Sequence, residues 1–137
     1  MIDDVILNKK ESIERCVRQI RHYYALPSNT SFEQDFLRQD AIAANLLRAC
    51  EQSIDLANHV IKIRQLGLPK TSRESFFILA DEGMISASLA QNLAKMVTFR
   101  NILVHQYQEL DIAVLIDVIE NRLDDLIDFT NHIIQAS

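Results

Sequence analysis

Glycine and proline are nearly missing from this chain, with two of each in 137 residues. Sandwiches, barrels and doubly wound sheets turn many times and draw on Gly, Pro and Asn to do so; four such residues cannot furnish those turns. What remains is an all-α chain of a few long helices. We read residues 1–137 as a single-domain antiparallel bundle of about four long helices plus one short helix, a length suited to one core. Tryptophan is absent. No apolar run approaches the roughly 18 residues that a membrane span requires, and Asp3, Asp4, Lys9 and Lys10 interrupt any secretory core at the start. A soluble, cytoplasmic protein without a membrane partner is expected. Cys16 and Cys50 lack CxxC spacing and read as buried small hydrophobes in a reducing compartment. Gly67 and Gly83 are isolated, so no glycine-rich loop cradles a phosphate, and kinase or nucleotide-hydrolysing chemistry is disfavoured. His22, His59 and His132 show no HxxxH or HxxH pattern, so no metal site is expected.

Excess positive charge is also lacking. The formal net charge is −5, which excludes a protein that coats nucleic acid generally. The acidity is uneven, because Glu109, Asp111, Asp117, Glu120, Asp124, Asp125 and Asp128 face only Arg122 in the last stretch. The preceding residues are close to neutral, and Lys9, Lys10, Arg15, Arg18 and Arg21 lean basic. A local site for a polyanion is permitted.

What is present is helical periodicity. Ile6, Ile13, Val17, Ile20 and Tyr24 mark a first helix from about Ile2 to Ala25, stopped by Pro27. Phe36, Ala43, Leu47, Cys50, Ile54, Ala57 and Ile61 mark a second from Ser31 or Phe32 to Leu66, with Gly67 and Pro69 as its stop. Thr71 or Ser72 caps a short helix to Leu79, and Gly83 ends it. Ser86 caps a fourth helix carrying Leu89, Leu93, Met96, Val97 and Val104. Asp111 opens a final helix that runs to about Ile134.

One segment stands apart: Phe99-Arg100-Asn101-Ile102-Leu103-Val104-His105-Gln106-Tyr107. At about 100° per residue, Arg100 falls in the middle of its helix's apolar stripe. A guanidinium there costs several kcal/mol unless an anion meets it; Asp40 and Glu51 on the second helix are candidate partners. His105 falls about 140° away, on the polar face with Asn101. An uninterrupted helix therefore does not aim both at one target. Either the chain turns near His105, or a second copy contributes across a two-fold axis.

The segment reads Arg-x4-His-x-Tyr. With nine Arg, four His and three Tyr in the chain, that spacing is expected roughly 0.006 times by chance. It resembles the signature of the HEPN ribonuclease toxins that are paired with minimal nucleotidyltransferase (MNT) antitoxins. The resemblance implies a HEPN-like bundle and a homodimer whose paired motifs form one cleft. It implies metal-independent RNA cleavage by Arg100 and His105, with Asn101 as a supporting polar residue. Tyr107 matches the tyrosine that the partner nucleotidyltransferase modifies with AMP, so ATP is used by the partner and the chain itself needs no cofactor. The residue types suit the chemistry: His moves protons near neutral pH and Arg holds phosphoryl oxygens. The other reading is a non-enzymatic helical subunit that serves as binding partner or substrate of a nucleotidyltransferase.

Overall fold

Five side-chain caps decide where helices begin. Asp3 accepts from the Ile6 N–H, Asp35 from Arg38, Thr71 from Glu74, Ser86 from Leu89 and Asp111 from Ala113. Each meets a donor that the first helical turn leaves open. The computed structural model describes residues 2–137 and shows six α-helices. They are α1 (Asp4–Ala25), α2 (Phe36–Ile63), α3 (Ser72–Asp81), α4 (Ala87–His105), α5 (Ile112–Asn121) and α6 (Leu123–Ala136). Single 3-10 turns at Phe32–Gln34 and Tyr107–Glu109 precede α2 and α5. The described residues contain no strand.

Three boundaries differ from the sequence reading. First, α2 starts at Phe36 rather than Ser31, because Asp35 provides the cap and the chain before it closes a tighter turn. Second, α2 is ended by Gln65, not Gly67. Gln65 takes a left-handed conformation (φ 55°), and the Leu66 N–H reaches back to the Ile61 carbonyl in a Schellman closure. The α3 stop follows expectation, with Gly83 at φ 75° and Met84 N–H on the Leu79 carbonyl. Third, the final helix is two helices, broken at Arg122 (φ −119°, ψ −10°). The apolar stripe passes through that break in phase, from Leu115, Val118 and Ile119 to Leu123 and Leu126, so periodicity does not reveal it. The break lets α5 lie at the end of α1 while α6 runs back along α1 and α2.

α2 is the central post, contacting α1, α3, α4 and α6. Its partner α1 is antiparallel: Asp3 meets His59 at one end, and Arg38 meets the Tyr24 carbonyl at the other. Ile13 and Ile20 of α1, Ile42, Leu46 and Leu56 of α2, Leu93 of α4 and Leu126 of α6 all lie in one continuous buried core. Phe76 and Phe129 meet edge to face at 5.3 Å and tie α3 to α6. Cys16 and Cys50 are buried free thiols, and burial pushes the Cys50 thiol up to about 12.

Candidate active site

The core thins toward the end of α4. Leu89, Leu93, Met96 and Val97 are buried as their spacing predicts, but Val104 is 44% exposed and Leu103 takes the core position instead. Arg100 lies at this margin, half-buried. Its Nε is shielded from solvent and has no hydrogen-bond partner. Neither Asp40 nor Glu51 pairs with it, and it makes no ion pair among the described residues. A shielded donor with no acceptor costs about 1–3 kcal/mol, more for a charged group.

Arg100 opens onto a cleft of about 510 Å³ between α4 and the start of α3. Thr71, Ser72, Arg73, Glu74, Phe77, Val97 and Asn101 complete its lining. Arg73 is exposed and also makes no ion pair among the described residues. Two guanidiniums without an ion pair share this cleft with the Glu74 carboxylate, which leaves it with a small excess of positive charge on a chain of negative net charge.

His105 is the last residue of α4 and is exposed. The chain leaves the helix only at Gln106 (φ −140°, ψ 31°), whose N–H still bonds the Ile102 carbonyl at 2.8 Å. The turn comes one residue too late to swing His105 toward Arg100, and His105 does not line the Arg100 cleft. Asn101 does line it, beside Arg100.

Tyr107 lies just past the end of α4, in the Tyr107–Glu109 turn, and does not line the Arg100 cleft. Its hydroxyl donates to Asp40 on α2 at 2.5 Å. Burial, and then the carboxylate that accepts its proton, hold this phenol above the ordinary value of 10. Glu33, Phe36, Gln39 and Leu110 line a separate cavity of about 450 Å³ beside the ring. Sequence reasoning misses one residue here and gives another the wrong partner. Arg73 reaches the site only because α3 packs on α4, a long-range fact with no local signal. Asp40 is singled out by the sequence as a partner for Arg100, yet it serves Tyr107.

Fold and motif together define an all-helical protein of the HEPN class. The family model described as Ribonuclease HepT-like matches residues 13–133, and the chain belongs to that family. It is 43% identical over 128 residues to the mRNA nuclease HepT of Shewanella oneidensis, covering 93% of this chain and 95% of that one. Its fold is similar to the tri-AMPylated Shewanella oneidensis HEPN toxin in complex with an MNT antitoxin, with a TM-score of 0.91 and 42% identity over 99% of this chain and 100% of that chain. A toxin–antitoxin crystal structure with AMP-PNP matches with a TM-score of 0.90 and 41% identity over 98% and 100% of the two chains.

Proposed function

We propose that this chain is the RNA-cleaving toxin of an MNT–HEPN pair, acting in the cytoplasm as a homodimer through Arg100 and His105. The observation that carries the reading is the unmatched Arg100 guanidinium on an open cleft, with His105 presented by the same helix. RNA brings its own nucleophile, the 2′-hydroxyl. Its oxygen attacks the adjacent phosphorus, the bond to the 5′-oxygen breaks, and a 2′,3′-cyclic phosphate remains. Arg100 holds the phosphoryl oxygens as charge builds on them. His105 moves the proton, taking it from the 2′-hydroxyl or giving it to the departing 5′-oxygen. No metal has a part in this route.

Because α4 stays helical through His105, the two side chains diverge within one protomer. A two-fold axis near the end of α4 resolves this by setting Arg100 of one copy against the His105 of another. Exposed Val104, beside His105, provides apolar surface for such a contact. Adenylylation of Tyr107 by the partner nucleotidyltransferase, which uses ATP, adds bulk and negative charge at the end of α4 and repels a polyanionic substrate. The AMPylated, antitoxin-bound state of the Shewanella relative supports that regulation. Membership in a ribonuclease family weighs against a non-enzymatic subunit.

The test uses purified protein, labelled RNA and EDTA. Cleavage leaving cyclic-phosphate ends, its loss in His105→Ala, and inertness toward the matching DNA are expected. Equal cleavage by His105→Ala would overturn the assignment.

A further inference from the structure

Tyr107 meets its modifying partner with its proton already committed. The phenol, in the turn after α4, donates to Asp40 Oδ1 at 2.5 Å, a contact between residues 67 apart in sequence. Asp40 sits in the second turn of α2, exposed, and is tied to no cation among the described residues. Its neighbour Arg38 is engaged elsewhere, with Asp35 and the carbonyls of Tyr24 and Leu26. Glu33 is the one other ionisable residue lining the cavity beside the ring, and it makes no hydrogen bond to the phenol.

A neutral phenol is a weak nucleophile, so attack on phosphorus requires that the Oη proton leave as the new bond forms. An acceptor within hydrogen-bond reach of that proton is the first requirement for general base catalysis. Here it belongs to the protein being modified. We infer that Asp40 is the proton acceptor for adenylylation of Tyr107, so that this chain supplies a catalytic group for its own inactivation. The inference rests on the reading of Tyr107 as the adenylylated residue. In the step, Tyr107 Oη attacks the α-phosphorus of ATP held by the nucleotidyltransferase. The Oη–P bond forms, the bond from that phosphorus to the β-phosphate oxygen breaks, and pyrophosphate leaves with the electron pair. The Oη proton passes to Asp40 and then to water. The product has no hydrogen left to donate to Asp40, and its phosphodiester charge faces the carboxylate, so the contact that seats the ring on α2 is lost.

The experiment follows AMP gain by intact mass when the chain is incubated with the partner nucleotidyltransferase and ATP. Wild type, Asp40→Asn, Asp40→Ala and Tyr107→Phe are compared near pH 7. Asp40→Asn, isosteric and at an exposed position, is expected to slow the initial rate about 100-fold. Added formate, but not chloride, is expected to restore modification of Asp40→Ala, which a merely structural role for Asp40 would not permit. Unchanged or faster modification of Asp40→Asn overturns the inference, because the carboxylate then only restrains the ring. AMP gain on Tyr107→Phe, or none on wild type, overturns the underlying reading of Tyr107 as well.

Discussion

Arg100 is placed against its own stability. Its Nε is shielded and unmatched in the chain alone, an arrangement that folding does not favour. Arg100→Met should therefore abolish RNA cleavage while leaving the thermal midpoint unchanged or a few degrees higher, since an unmet donor is replaced by an apolar side chain. A loss of stability above about 1 kcal/mol on that change would mark Arg100 as structural instead. Tyr107 and Tyr24 make a second prediction. Burial first, then hydrogen bonds to Asp40 and Glu120, raise both phenols, Tyr24 to about 12. A raised folded value favours the neutral form, so this stabilisation is complete below the unfolded value near 10 and is lost as pH rises through the folded values. Melting followed by circular dichroism between pH 9 and 12 should show that decline. With no Trp in the chain, absorbance at 295 nm should show Tyr107 ionising at lower pH in Asp40→Asn. At this scale the sequence named Arg100, Asn101, His105 and Tyr107 through one motif. It could not show which acid met which partner, because Asp40 lies far away in sequence and only packing brings it to the ring.

The capped starts of α3, α4 and α5 were legible, whereas those of α2 and α6 were not. Thr71, Ser86 and Asp111 act locally, accepting from a backbone N–H two or three residues on, so their residue type is a direct signal. Thr71→Ala should cost about 0.5–2 kcal/mol in chemical denaturation and loosen the wall of the Arg100 cleft. The end of α2 depends instead on Gln65 accepting a left-handed backbone (φ 55°) that its type disfavours. Gln65→Gly should raise stability by about 0.5–1 kcal/mol, read as a shift in the denaturation midpoint with unchanged slope. A loss would show that the Gln65 side chain does more than close the helix. The break at Arg122 left no mark because the hydrophobic phase is continuous across it.

For the whole molecule, scarcity of Gly and Pro together with helical periodicity made an all-α bundle readable, whereas the central place of α2 emerges only from the packing. The reactive centre was not readable to the same depth. One helix carries both Arg100 and His105, and its continuity through His105 turns them apart; a site assembled from two copies answers that geometry. Inactive Arg100→Ala and His105→Ala chains, mixed and allowed to exchange subunits, test this directly. If Arg100 of one protomer works with the His105 of its partner, each mixed dimer regains one intact site. Random exchange should then restore about a quarter of wild-type RNA cleavage. No recovery, with mixed dimers shown to form, would contradict a shared two-fold site.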